Sequence, residues 1–165
     1  MKTLLLGLGN DLLTDDAIGL RVAAALREQL SERENLTIAE TAEMGLALLD
    51  LVAGFDNLLV VDAVETGQAP PGFVHELEGA ELKLRTSVAP HFLGLAETLE
   101  LGRELGLPMP GSVRVFAVEV QDPYTLGTRM TPALEAALPA IISQLETRWA
   151  AVRTGQETTE NRAAR

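Results

Sequence analysis

Two carboxylates and one imidazole, on Asp16, Asp62 and His91, are the side chains of this chain whose types could together do chemistry. Gathered in one place they make a hard-to-borderline metal site, suited to zinc or nickel, with positions left open for water or substrate. The sequence contains no cysteine, which removes disulfides, thiolate zinc sites and a thiol nucleophile in one step. It also lacks the Gly-x-Ser-x-Gly elbow of a serine hydrolase. The turn Gly7-Leu8-Gly9-Asn10 invites a dinucleotide reading, but the third glycine of that fingerprint would fall at Leu12.

Each candidate also has a plain structural role open to it. Asp16 suits the first turn of a helix, where a carboxylate favours the dipole. Asp62 ends an apolar run that aims it outward, and strand-end Asp residues often cap the following loop. His91 can cap the helix it opens or fill a polar gap. The second histidine, His75, falls in a weak edge strand, where a solvated, non-functional role fits better.

The elements that must position these residues follow from hydrophobic spacing. Lys2 to Leu8 is a short apolar run that suits a buried strand ending in a tight turn. From about Asp16, Ile18, Val22, Leu26 and Leu30 recur at helical spacing, with Thr14 or Asp15 as the expected cap. Leu36 to Glu40 reads as a second strand; Leu46, Leu49 and Val52 mark a helix that Gly54 ends. Asn57 to Val64 is apolar on both faces, as a central parallel strand should be. Pro70-Pro71-Gly72 makes a turn before an edge strand over Phe73 to Leu77. Leu93, Leu95, Ala96, Leu99 and Leu105 predict a helix, and Ser112 to Val120 a strand. A last helix opens at Pro132, with Leu134, Leu138, Ile142 and Leu145 on one face and a kink or fresh start expected at Pro139. Residues 1–153 read as one domain, and Thr154 to Arg165 as a polar disordered tail.

Strands alternating with helices predict an α/β fold, a three-layer α/β/α sandwich. In such sheets, sites gather in the crevice outside the carboxyl ends of the parallel strands. Asp16, Asp62 and His91 all follow or end elements at that edge. A formal net charge of −11, from 13 Lys plus Arg against 24 Asp plus Glu, argues against nucleic acid and anionic membranes as partners. The apolar N-terminal run is too brief for a signal peptide and no stretch is long enough to span a bilayer, so the expected location is cytoplasmic. Composition and spacing reach an α/β enzyme, with metal assistance as one option, and no further.

As a string, Gly7-Leu8-Gly9-Asn10-Asp11-Leu12-Leu13-Thr14-Asp15-Asp16-Ala17-Ile18-Gly19 closely resembles the opening of the hydrogenase maturation proteases. Leu59-Val60-Val61-Asp62-Ala63 resembles the second acidic motif of that family, and Ala89-Pro90-His91-Phe92-Leu93-Gly94-Leu95 its histidine motif. The three matches keep the family's order and spacing over most of the chain.

The resemblance implies a mixed five-stranded sheet, order 2-1-3-5-4, with strand four antiparallel, of the phosphorylase/hydrolase-like kind. It implies that Asp16, Asp62 and His91 are at once metal ligands and the catalytic residues of an aspartic-type endopeptidase. The metal would be nickel supplied by the substrate, the precursor of a nickel–iron hydrogenase large subunit, with no tightly bound organic cofactor. Removal of that subunit's C-terminal extension would let its active site close, activating the enzyme. Many members carry Asp-Gly-Gly-Thr after strand two, where this chain has Glu40-Thr41-Ala42-Glu43-Met44-Gly45. That loop is implied to touch substrate, with Glu40 in place of the Asp and Gly45 kept. The departure bears on which hydrogenase is processed. Two rivals stand beside this reading: a chaperone that senses nickel without cutting, and a nucleoside phosphorylase of similar topology, which would need basic residues near Gly9 where only Arg21 lies close.

Overall fold

The computed structural model describes residues 1–30, 35–79, 81–82 and 90–154, except the side chains at 90, 91, 93 and 152–154. The chain runs β1 (Thr3–Leu8), a 3-10 turn (Thr14–Ala17), α1 (Ile18–Leu30), β2 (Leu36–Thr41), α2 (Leu46–Val52) and β3 (Asn57–Val64). It continues through β4 (Val74–Glu78), α3 (Pro90–Glu104), β5 (Ser112–Glu119) and α4 (Pro132–Thr154). The five strands form one sheet in the order β2-β1-β3-β5-β4. Only the β4–β5 pairing is antiparallel; β1–β2, β1–β3 and β3–β5 run parallel. The fold class, strand order and direction are those the sequence and its resemblance implied.

Every residue of β1 and β3 is buried, because helices cover both faces of these central strands. On one face Leu4, Leu6, Val60 and Val115 pack with Leu48 and Val52 of α2 and with Phe92, Leu95 and Leu99 of α3. On the other, Leu5, Leu59, Val61 and Phe116 pack with Ile18, Val22 and Leu26 of α1 and with Leu134, Ile141 and Leu145 of α4. The alternation along β3 therefore assigns each side chain to a layer: even numbers face α2 and α3, odd numbers face α1 and α4.

Two local expectations are corrected. Neither Thr14 nor Asp15 caps α1: the preceding 3-10 turn has no side-chain cap, and both residues bond instead to the loop after β5. Of the two outcomes expected at Pro139, the fresh start does not occur: α4 runs through the proline as one helix. Leu134 before the proline and Ile141, Leu145 and Trp149 after it are all buried in the same cluster, and that tertiary packing outweighs one lost backbone bond. Thr154, where the disordered tail was expected to begin, is the last residue of α4; the rest of that tail, 155–165, lies outside the described residues. Among the described residues, no helix is long and apolar enough to cross a membrane.

Candidate functional site at the carboxyl edge of the sheet

Asp62 is the sixth residue of β3 and is 1% exposed. Its Oδ1 accepts the N–H of Ala63 at 2.8 Å. Val60 and Val64, its neighbours on the pleat, belong to the cluster that holds Phe92 and Leu95, so Asp62 shares the sheet face covered by α3. His91 lies in the first turn of that helix. The side chain of His91 lies outside the described residues, and with it the expected convergence of three ligands. Among the described residues, no three His, Asp or Glu side chains form a group able to hold an ion.

Asp16 reaches the same edge from the opposite layer. It sits in the 3-10 turn that touches β3 and leads directly into α1. The glycines around it explain how so close an approach is possible. A Cβ on Gly19 would lie 2.1 Å from the carbonyl oxygen of Leu8 and 2.4 Å from that of Val61. A Cβ on Gly9 would lie 2.1 Å from the carbonyl oxygen of Asp16. The start of α1 is thus pressed against the ends of β1 and β3, with Asp16 three residues before Gly19 and Asp62 one residue after Val61. The glycines that failed as a dinucleotide fingerprint serve helix-on-strand packing, which brings the turn bearing Asp16 against the end of β3 that carries Asp62.

Asp15 has a role that sequence reasoning missed. Fully buried, its Oδ2 accepts the N–H groups of Gln121 and Asp122 at 3.1 and 2.9 Å, and its Oδ1 accepts that of Thr131 at 2.7 Å. The Thr131 hydroxyl adds 2.9 and 3.0 Å contacts. Thr14 Oγ1 donates to the carbonyl of Asp122, and the Asp15 N–H donates to the same carbonyl at 3.1 Å. The turn bearing Asp16 is consequently bolted to the loop after β5. The only sequence signal was a second Asp beside the first, and an Asp pair reads equally well as a helix-start charge pattern.

His75 also departs from expectation. Rather than a solvated edge residue, its Nε2 lies 2.8 Å from Oε2 of Glu119, whose side chain is almost fully buried. Glu119 further accepts Thr66 N–H at 2.7 Å, Thr66 Oγ1 at 2.6 Å and Gly67 N–H at 2.9 Å. Burial pushes the Glu119 carboxyl up, but the bonds from the Thr66 hydroxyl, His75 and the two N–H groups outweigh it and hold it below the usual range. Ala117 pairs with Asp62 on one side and His75 on the other, so this clasp stands two strands from Asp62 in one row of the sheet.

The loop after β2 is less centred on the edge. Glu40 lies within β2, and its Oε1 is 2.7 Å from Arg27 Nη2 of α1, on the layer away from α3. Gly45 precedes α2 with φ +72° and open space around it. Met44 beside it reaches α3: a Cβ on Gly94 would meet Met44 Cε at 3.9 Å.

Residues 20–148 match the family model of hydrogenase maturation proteases, a span that begins just after Asp16 and includes Asp62 and His91. The chain belongs to the hydrogenase maturation protease family. It is 33% identical over 150 residues to the hydrogenase 2 maturation protease of Escherichia coli strain K12, covering 86% of this chain and 91% of that one. The hydrogenase maturating endopeptidase HybD from E. coli superposes with a TM-score of 0.73 at 29% identity, covering 94% of each chain. HybD of Thermococcus kodakarensis shares the fold at TM-score 0.68 and 23% identity, over 89% of this chain and 98% of that one. As a maturation protease the chain is a peptidase, and its carboxyl edge is where the family motifs fall.

Proposed function

We propose that this maturation protease removes the C-terminal extension of a nickel–iron hydrogenase large-subunit precursor after nickel has been inserted. The observation that supports this most directly is the meeting of the Asp16 turn with the end of β3 at Asp62, within a chain so similar to a hydrogenase 2 maturation protease. Two carboxylates at a strand end, with a helix carrying His91 over the same face, suit a borderline divalent ion that arrives with its other ligands already in the substrate.

In this reading nickel is part of the substrate, and it would polarise the scissile carbonyl or lower the pKa of a water. The protein's own contribution is positional. Asp62 is held in a buried strand and Asp16 on a turn fixed by Asp15, so neither carboxylate must be ordered when substrate arrives. A chaperone that senses nickel without cutting would use the same three residues.

Incubation with nickel-loaded precursor, followed by mass measurement, separates the two. Loss of a C-terminal fragment is expected. A stable complex of unchanged mass would favour the chaperone. His91→Ala and Asp62→Asn refine the test: single-turnover cleavage at saturating precursor should fall by about 100-fold or more if these side chains act in the chemistry. Near-normal cleavage by a folded variant would remove that residue from the mechanism.

A further inference from the structure

Large apolar side chains left exposed on a small protein are informative when they cluster. Here Leu12, Leu46, Phe73, Tyr124 and Leu126 are exposed, and all five flank the carboxyl edge. Leu12 follows β1, Leu46 opens α2, and Tyr124 and Leu126 lie in the loop after β5. Phe73 precedes β4 and its carbonyl accepts the N–H of Glu119, the last residue of β5. Tyr124 and Leu126 are the most open of these, at 72% and 80%.

Their exposure is not that of a loose loop. Leu126 bridges Leu13 in antiparallel pairing, and Gly127 N–H donates to the Leu12 carbonyl at 2.9 Å. Asp122 Oδ1 accepts the N–H groups of Tyr124 and Thr125 at 3.1 and 3.0 Å, while Asp15 fixes the start and end of the same loop. A built ridge therefore presents Leu12, Tyr124 and Leu126 to solvent directly beside the turn that carries Asp16.

Among the described residues, the charge at this rim is one-sided. Residues 9–17, 42–46, 65–73 and 120–131 carry Asp11, Asp16, Glu43, Glu65 and Asp122, besides the buried Asp15, against the single base Arg129. A second copy of this chain would bring like charges together, and an anionic membrane would be repelled. The chemistry fits an extended polypeptide carrying both apolar and basic side chains, entering beside Asp16.

We propose that the ridge of Leu12, Tyr124 and Leu126, with its acidic surround, is the docking surface for a basic, apolar segment of the precursor. This rests on the reading of the protein as a processing endopeptidase. Its role is binding rather than chemistry: the apolar side chains supply contact area, and the carboxylates steer the segment toward the edge.

The test is the double variant Tyr124→Ser, Leu126→Ser, with Leu105→Ser on the exposed turn after α3 as control. With nickel-loaded precursor, the double variant should raise KM by about 10-fold with kcat within about twofold, while the control matches wild type. Wild-type KM should also rise with salt. Thermal unfolding should change little, since both side chains largely face solvent and Tyr124 gives up only a surface hydrogen bond to Glu65. A wild-type KM, or a fall in kcat alone, would overturn the proposal. If wild type does not shorten the precursor, the processing reading fails, and calorimetric titration of intact precursor still decides docking. Binding weakened by the double variant supports the ridge; equal binding, or none to wild type, overturns it. Sedimentation showing a wild-type dimer that the double variant dissolves would assign the ridge to self-association instead.

Discussion

His75 Nε2 stands 2.8 Å from Glu119 Oε2, tying the edge strand β4 to the end of β5 through a carboxylate that also holds the loop after β3 by three further bonds. Because these bonds hold the folded Glu119 pKa below its unfolded value, its contribution is full above the unfolded pKa and is lost as pH falls through the folded one. Wild type should lose thermal stability on acidification below about pH 4.5 partly through this group. Glu119→Gln should be less stable at neutral pH by about 2 kcal/mol and show a flatter acid limb. Melting curves across a pH series check this; parallel limbs for the two proteins would contradict it.

Asp15→Ala should destabilise by about 3 kcal/mol or more, because it removes the fully buried carboxylate that holds the N–H groups of Gln121, Asp122 and Thr131. Cleavage should fall even at temperatures where the variant is folded, since the Asp16 turn loses its anchor. Hydrogen exchange at residues 121–131 provides the structural readout. Unchanged protection there would show that the anchor is dispensable.

Gly19→Ala adds one methyl group where two backbone carbonyl oxygens already stand within 2.4 Å. Neither is a flexible side-chain end, so α1 must lift from the sheet. A loss of about 3 kcal/mol, or failure to fold, is expected in chemical denaturation. A variant with wild-type stability would disprove the tight seat of α1.

Isolated protein should bind nickel or zinc weakly and lose it to a chelator. Two carboxylates and an imidazole make an incomplete shell without thiolate or substrate ligands. Metal analysis after dialysis tests this, and stoichiometric metal surviving chelation would favour a resident metal centre.

Much of this architecture was legible in the amino-acid order. The run Leu58-Leu59-Val60-Val61, apolar on both faces, announced a central strand, and the observed limits of β3, Asn57–Val64, coincide with those expected. Edge placement of β4 followed from its mixed polarity. The places of Asp62 and His91 on their elements were readable because strand ends and helix starts leave local signals, whereas Asp16, expected in the first turn of α1, stands in the 3-10 turn before it. Asp15 and Glu119 were not readable. Their partners lie 44 to 116 positions away, and a carboxylate bonded across such distances has the same neighbours in sequence as one facing water. The fresh start weighed at Pro139 does not occur for a related reason: local backbone preference carries no record of the packing that holds both halves of α4 in one cluster.

The grip of Asp15 on residues 121, 122 and 131 carries a consequence for synthesis. Asp16 and Asp62 leave the ribosome early, but the loop that locks the Asp16 turn emerges only after β5 is complete. Such long-range closure belongs among the late steps of folding. A nascent chain would thus carry both acidic residues for most of its translation without a fixed cutting edge, and the peptidase would be armed only once α4 begins to dock.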